Sequence, residues 1–216
     1  MCLFSRIKNL ARGVGVICAA VLAVSHVLAA EEESPLKELE TVLSDVKTVK
    51  TQFVQEKKMA LFKKPLITKG KILLEMPEKL MWKIESPVKY KLLIDGQQAK
   101  QWDGETGKTV KIPLTEQPIF AAVTQQLRSW FTGNYRLLAK DYTITKIKGE
   151  QLAFEFLPKT ELPQAKIIKR VAVTFQKDKK YIESFLIEEQ GGDTTTLKFE
   201  ETTLNGQIAK EEWELP

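Results

Sequence analysis

Three pairs of adjacent glutamates are the residues of this sequence best suited to acid–base chemistry: Glu188-Glu189, Glu200-Glu201 and Glu211-Glu212. A hydrolase can use two carboxylates as its acid and its base. Adjacent residues of a β-strand point to opposite faces, however, so only one member of each pair could enter a buried site. We therefore interpret these pairs as solvated surface charge. A hydrolase that uses carboxylates and needs no cofactor is nevertheless kept as one of three hypotheses for the function.

The residues that most often act as nucleophiles, bases or metal ligands are confined to the start of the chain. All cysteines and the single histidine lie within the first 30 residues: Cys2, Cys18 and His26. This segment has a basic start, an apolar run from Val14 to Val24 and small residues at Ala29 and Ala30, which predicts a secretory signal peptide over 1–30, cleaved near Ala29 or Ala30. The remainder then has no thiol, disulfide, histidine base or Cys/His zinc site. We expect no catalytic residues, no metal site, no cofactor and no enzymatic activity.

The charge of the exported chain is close to neutral. The signal peptide removes three basic residues and no acidic ones, so the formal charge falls from +5 to +2. We therefore expect no binding of nucleic acid, which requires a strongly basic surface. Residues 31–216 contain no apolar run long enough to cross a membrane and no interdomain linker, so we expect one soluble domain, present as a monomer.

Two segments have the period of an amphipathic helix. Ser34-Pro35 is typical of a helix start, and an apolar stripe follows at Leu36, Leu39, Leu43, Val46 and Val49, which predicts a helix over about 36–49. A second stripe, at Ile119, Val123, Leu127 and Trp130, predicts a helix over about 117–131, with Gly133 as its stop.

Most of the remaining sequence alternates between apolar and polar residues. This pattern predicts a mainly β (α+β) fold, an unclosed antiparallel β-barrel of about eleven strands with one buried face and with the two helices as a lid. The predicted strands begin at Phe53 and continue at 69–76, 79–85, 89–95, 98–103, 108–112, 142–148, 151–157, 167–176, 181–189 and 194–204.

The buried face of such a sheet can enclose more space than its own side chains fill. We expect the apolar residues that alternate along the strands to line a lipid-sized cavity, and ordinary core packing is the alternative for each of them. The candidate cavity residues are Leu74, Trp82, Ile84, Tyr90, Leu92, Ile94, Phe154, Phe156, Val171, Val173, Phe175 and Phe185.

One stretch of about 50 residues carries a distinctive series of residues in a fixed order. The series is Phe53-Val54-Gln55, Gly70, Pro77 with Trp82, Ser86-Pro87, Asp95-Gly96 and Trp102. It resembles the LolA-type periplasmic carriers of outer-membrane lipoproteins, in which the corresponding run reads phenylalanine-x-glutamine, a glycine that begins a strand, proline-x4-tryptophan, x-proline, aspartate-glycine and an aromatic residue.

The resemblance implies a periplasmic carrier in a Gram-negative bacterium. Such a protein would hold the acyl chains of a lipoprotein, or a related lipid, in its half-barrel cavity and move them toward the outer membrane. It would accept cargo from an inner-membrane donor complex and deliver it to an outer-membrane acceptor. The three hypotheses for the function are therefore the carrier, the hydrolase, and an envelope sensor or interaction protein that uses the same fold without transporting lipid.

The resemblance also implies a difference at the latch that closes the empty cavity. In well-studied carriers of the family an arginine precedes the motif proline and hydrogen-bonds the lid, whereas here the latch position is Met76. Methionine has no hydrogen-bond donor. We therefore expect a lid that closes mainly through apolar contacts. The expected lid residues are Leu36, Leu39, Leu43, Ile119, Val123 and Leu127.

Overall fold

The computed structural model describes residues 35–96, 98–114, 118–178 and 181–216. The predicted signal peptide and Ser34 lie outside the described residues. The helices are α1 (Pro35–Leu43), α2 (Pro118–Phe131) and α3 (Tyr135–Asp141), with short 3-10 helices at Pro163–Lys166 and Lys210–Trp213. The strands are β1 (Thr48–Lys58), β2 (Leu66–Glu75), β3 (Lys79–Ser86), β4 (Tyr90–Asp95), β5 (Gln98–Asp103), β6 (Thr109–Pro113), β7 (Tyr142–Ile147), β8 (Ala153–Pro158), β9 (Ile168–Phe175), β10 (Ile182–Glu189) and β11 (Thr194–Leu204).

All eleven strands form a single antiparallel sheet in the order β6-β5-β4-β3-β2-β1-β11-β10-β9-β8-β7. Two meanders, β1–β6 and β7–β11, are joined where the first strand pairs with the last, with Phe53 opposite Phe199. The strands β6 and β7 are the two edges, and α2 and α3 connect them along the chain. The expectation of an unclosed antiparallel sheet of about eleven strands is therefore confirmed.

Helix α1 ends at Leu43, whereas the apolar stripe predicted a helix as far as Val49. Val49 instead lies in β1, so this part of the prediction is wrong. The distant residue Asn205 helps to set the boundary, because its side-chain oxygen accepts hydrogen bonds from the backbone N–H groups of Lys47 (2.6 Å) and Thr48 (3.4 Å). These bonds hold the chain in an extended conformation next to β11.

Helix α3 is a further departure, since the sequence predicted only two substantial helices. Its first residue, Tyr135, is fully buried and donates its hydroxyl hydrogen to the backbone oxygen of Trp130 at 3.3 Å. Leu138, one turn later, is buried as well. A seven-residue helix is too short for an apolar period to be recognised in the sequence. The burial of Tyr135 and Leu138 therefore stabilises this helix, although no sequence pattern predicts it.

The two faces of the sheet are both covered, although unequally. The inner face carries the main hydrophobic core beneath the three helices. On the outer face of β2–β4, Trp213 packs against Leu73, Met81 and Leu93, and the ammonium group of Lys79 lies 4.6 Å from the centre of the Trp213 ring. The expectation of a single buried face is therefore wrong over these strands, because the C-terminal segment covers them.

Candidate functional site

An unfilled cavity of about 260 Å³ lies between α2 and the inner face of the sheet. Its lining is mostly aliphatic and aromatic, with two glutamine side chains and two hydroxyl groups, of a tyrosine and a threonine, among the apolar ones. The helix contributes Gln126, Leu127 and Trp130. The first meander contributes Gln55, Ile72 and Trp82. The second meander contributes Tyr142, Ile168, Val171, Phe185, Ile187, Thr195, Leu197 and Phe199.

Trp130 anchors α2 beside the cavity. Its ring makes edge contacts with Phe156 and Phe185, at centroid distances of 4.2 and 5.2 Å, and only 4% of its surface is exposed. The next residue, Phe131, lies 5.4 Å from Phe199 in the same kind of contact. The C-terminal end of α2 is therefore fixed to the second meander, and the preceding turn, with Leu127, lies over the cavity.

The motif residues that suggested the family meet at the opposite wall. Phe53 packs against Trp82, with ring centroids 5.1 Å apart. It can do so because Gly70 leaves room beside it: a Cβ atom there would lie 2.9 Å from the Phe53 ring and 1.9 Å from the backbone oxygen of Lys83. The phenylalanine, glycine and tryptophan of the motif thus position Trp82, which lines the cavity.

The polar groups of the cavity differ in how they are satisfied. The Gln126 side-chain amide donates a hydrogen bond to the Tyr142 hydroxyl at 2.6 Å, which ties α2 to β7. Burial raises the pKa of Tyr142, and the bond from Gln126 opposes this shift. In contrast, the side chains of Gln55 and Thr195 form no hydrogen bond with any described residue. They can therefore bond to a ligand.

An ion pair lies beyond these two polar residues, toward the end of the inner face. Lys57 and Glu189 both lie on the inner face, and the Lys57 ammonium donates to a carboxylate oxygen of Glu189 at 2.9 Å. The neighbouring Glu188 points outward and accepts a bond from Arg170. Glu188 and Glu189 thus lie on opposite faces of the sheet, and each forms an ion pair with a basic side chain.

The candidate cavity residues occupy three environments along the inner face. Three line the cavity: Trp82, Val171 and Phe185. Six others are buried in the surrounding core: Leu74, Ile94, Phe154, Phe156, Val173 and Phe175. The remaining three are half-buried on β3 and β4: Ile84, Tyr90 and Leu92.

Several lining residues were not selected from the sequence, although the signal was present. Leu197 and Phe199 alternate with Thr195 along β11, and Ile187 is two residues from Phe185 on β10. Trp130 belonged to the predicted stripe of the second helix. Alternation identifies which side chains of a strand point inward. It does not predict at which position along the strand the helix leaves space unfilled.

The expected lid residues lie on α1 and α2. Leu39 and Leu43 are almost completely buried, Leu36 packs on the edge of the core and Leu127 lines the cavity. The side chains of Ile119 and Val123 lie outside the described part of α2. Helix α1 also contacts the turn between α2 and α3 closely, because a Cβ atom on Gly133 would lie 2.9 Å from the Cβ of Leu43.

The latch position is occupied by an apolar contact. Met76 packs on the edge of the main core, and its backbone N–H donates to the backbone oxygen of Lys47 at 2.8 Å. Helix α2 does carry an arginine, Arg128. Its Nε atom is buried and has no hydrogen-bond partner among the described residues. Burial lowers the pKa of Arg128, and the carboxylate of Glu78, two residues after Met76, opposes this shift.

The comparison with protein families decides how this arrangement is classified. The family model for the outer membrane lipoprotein carrier protein LolA matches residues 44–215. The chain belongs to the LolA family. The resemblance inferred from the motif is thereby confirmed, and the match includes every strand of the sheet and helices α2 and α3.

Similarity to individual members is distant. The outer-membrane lipoprotein carrier protein of Chromohalobacter salexigens is 22% identical over 140 residues, which are 64% of this chain and 62% of that protein. The aligned part thus spans less than two thirds of the relative. Members of the LolA family are carrier proteins rather than enzymes.

Solved structures share the fold at still lower identity. An uncharacterized conserved protein from Thermus thermophilus has a TM-score of 0.54 at 7% identity, over 85% of this chain and 95% of that chain. The MucA/MucB complex of Pseudomonas aeruginosa has a TM-score of 0.51 at 10% identity, over 84% of this chain and 59% of that chain. These likenesses show the fold alone. No helix among the described residues is long and apolar enough to cross a membrane.

Proposed function

We propose that this protein is a periplasmic carrier that binds the acyl chains of a lipoprotein, or of a related lipid, in the cavity beneath α2 and moves them toward the outer membrane. The observation that supports this proposal best is the unfilled apolar cavity of about 260 Å³ in a chain that belongs to the LolA family. A filled core would have left no room for cargo. The predicted signal peptide over 1–30 supports a periplasmic location.

The size of the cavity sets how much of a chain it can take. A methylene group needs about as much room as a water molecule, roughly 30 Å³, so the cavity of about 260 Å³ accepts about eight or nine methylene groups. At ~0.8 kcal/mol for each buried methylene, this contributes on the order of 7 kcal/mol before the cost of association. Longer or additional chains require α2 to move away from the first meander.

The polar residues at one end of the cavity suit the head of an acylated ligand. Gln55 and Thr195 offer an amide and a hydroxyl without partners among the described residues, and the Lys57–Glu189 pair beyond them is internally neutralised. Neutral donors of this kind match the carbonyl oxygen of an acyl ester or amide. We therefore place the ester or amide end of the cargo next to Gln55 and the hydrocarbon tail toward Trp82.

A binding experiment with a matched pair of variants tests the carrier function. Ile187 lines the cavity, and its neighbour Leu186 is half-buried on the opposite face of the same strand. We expect Ile187→Glu to reduce the affinity for a dansyl-labelled undecanoic acid at least tenfold, because a carboxylate in the cavity must be desolvated. Leu186→Glu should retain binding. Equal loss in both variants, or no binding by the unaltered protein, would contradict the proposal.

Native mass spectrometry of protein purified from the periplasm distinguishes the carrier from the envelope sensor. The sensor hypothesis is favoured only by the likeness of fold to the MucA/MucB complex. Acylated material that is released by lipid extraction is the expected result for a carrier. An empty protein that retains a second polypeptide would favour the sensor instead.

The lid is part of the same proposal. We expect apolar contacts such as those of Leu39 and Leu43 to hold α1 closed, and to hold it more loosely without ligand, because Met76 cannot replace the arginine that well-studied carriers have at the corresponding position. Introducing it as Met76→Arg should therefore slow hydrogen exchange in α1 by supplying the missing donor. Unchanged exchange rates in α1 would count against this hypothesis.

A further inference from the structure

The two most exposed large apolar side chains of the described residues lie next to each other on one loop. The connection between β1 and β2 presents Leu61, 93% exposed, and Phe62, 64% exposed, and β2 begins with the exposed Leu66 and Ile67. An isolated exposed leucine is ordinary, but four such residues within seven positions form a patch, and patches of this kind mark interaction sites. We call residues 59–65 the apolar loop.

The topology places the other exposed apolar residues at the same end of the sheet. The strands β1, β3, β5, β8 and β10 end there, and β2, β4, β6, β7, β9 and β11 begin there. Val88, Val110, Leu157 and Ile167 are exposed within two residues of those strand ends. Among the described residues only one exposed large apolar side chain, Val42 on α1, belongs to neither the loop nor this rim.

Basic residues lie on both sides of Leu61 and Phe62 at the tip of the apolar loop. Lys63 and Lys64 follow its tip, are exposed, and form no ion pair with any described residue. Lys58 precedes the loop, is exposed, and lies 3.0 Å from Glu56. Apolar side chains next to lysines are the combination that binds anionic lipid surfaces, since the lysines meet the headgroups while the apolar groups enter the interface.

The loop is held in one conformation rather than left free. The backbone N–H of Phe62 donates to the backbone oxygen of Met59 at 3.0 Å, which closes a turn at the tip. The backbone N–H of Ala60 donates to the carboxylate of Asp193 at 2.9 Å, which ties the loop to the β10–β11 turn. Leu61 and Phe62 are therefore presented to the outside at a small entropic cost of binding.

The rim is also the end of the sheet to which the cavity extends. Ile168 and Tyr142, which line the cavity, are the first residues of β9 and β7, and Gln55 and Thr195 lie within four residues of the strand ends next to the apolar loop. We propose that the apolar loop binds reversibly to an anionic lipid surface, with Leu61 and Phe62 inserted and Lys63 and Lys64 at the headgroups. This surface goes beyond the carrier function and does not require a loaded cavity.

Sedimentation with lipid vesicles tests the proposal. The purified protein is mixed with vesicles of phosphatidylcholine alone or with an equimolar mixture of phosphatidylcholine and phosphatidylglycerol, and the partition coefficient is measured at low and high salt. We expect binding to the anionic vesicles that weakens as salt is added. Leu61→Ser/Phe62→Ser should lower the partition coefficient at least tenfold, whereas Val42→Ser, an exposed apolar residue outside the rim, should leave it unchanged.

A second pair of variants isolates the charge. Lys63→Gln/Lys64→Gln should reduce binding to the anionic vesicles about thirtyfold, the scale of two lysines at a lipid surface. The same charge change at Lys100 and Lys111, exposed on β5 and β6, should have little effect. The proposal is overturned if the unaltered protein ignores anionic vesicles at low salt, or if both pairs of lysine variants bind equally. Acyl binding measured on the same variants shows separately whether the cavity is intact.

Discussion

The two meanders of the sheet hold the helices in very different ways. Among the residues whose side chains the structure describes, six aromatic ring pairs join α2 or α3 to the sheet, and their sheet partners belong to β7–β11. In β1–β6 the described ring pair, Phe53 with Trp82, stays within the sheet. The cavity separates α2 from Ile72 and Trp82 on that side. One wall thus anchors the helix through ring contacts, and the other faces it across the cavity.

Removing the anchor should break this comparison with the largest effect. Trp130→Ala deletes a buried ring that contacts Phe156, Phe185 and Tyr142. We expect a loss of ~3–5 kcal/mol in the free energy of unfolding, measured by urea denaturation. Trp82→Ala, at the half-buried opposite wall, should cost less than half as much. Equal losses would show that both walls hold the helix.

The contact between α1 and the α2–α3 turn should give the next largest effect. Gly133 has a φ of +70°, and a Cβ atom there would lie 3.1 Å from the backbone oxygen of Leu39. We expect Gly133→Ala to cost about 1–3 kcal/mol, because both the backbone conformation and the packing of α1 oppose a side chain. Gly149, which has open space around it, provides the control. A similar cost for Gly149→Ala would contradict this explanation.

The outer-face charges should give the smallest difference, and one that depends on pH. Arg170 joins β8, β9 and β10 through Glu155 and Glu188, and its hydrogen bond lowers the pKa of Glu188 below its ordinary value of 4.5. In the first meander, the ion-pair partner of Lys83 within the described part of the chain is Glu85 of its own strand, and Lys83 likewise lowers the pKa of that carboxyl. The lowered values stabilise the folded state above the pKa of the unfolded chain, and this contribution is lost as pH falls through the folded pKa.

The matched variants follow from that sign. Arg170→Met should cost about 1 kcal/mol or less at neutral pH, with the difference from the unaltered protein disappearing well below pH 4.5. Lys83→Met should lower the free energy of unfolding by less, because Lys83 and Glu85 lie on the same strand and their ion pair does not join two strands. Urea denaturation over a pH series measures both variants. A difference for Arg170→Met that persists in acid would assign its effect to lost packing rather than to the ion pairs.

Much of the fold could be predicted from the sequence because its strands alternate clearly and its turns carry glycine. Alternation predicts eleven strands near their observed positions, although β1 begins at Thr48 rather than at Phe53, and Gly133 marks the stop of α2. The end of α1 could not be predicted, since Asn205 at the far end of the chain holds Lys47 and Thr48 in the sheet. Local periodicity does not report such distant contacts.

The cavity was harder to locate than the fold. Alternation correctly places Val171, Val173 and Phe175 on one face of β9, yet Val171 lines the cavity while the other two are core residues. The difference depends on where Trp130 of α2 packs against the inner face of the sheet, which is a property of tertiary packing. The exposed tip of the β1–β2 loop is likewise invisible to a periodicity argument, because only the folded chain shows which apolar residues remain uncovered.

The pairing of β1 with β11 has a consequence for how the molecule is made. Val49 lies opposite Leu204, so the seam between the meanders joins residues from the two extremes of the folded chain. Loops of that length close slowly, and the sheet stays incomplete until the last strand is available. A polypeptide threaded through a translocation channel from its N-terminus would therefore remain unfinished during passage, and would form its central seam only once the C-terminal strand had emerged.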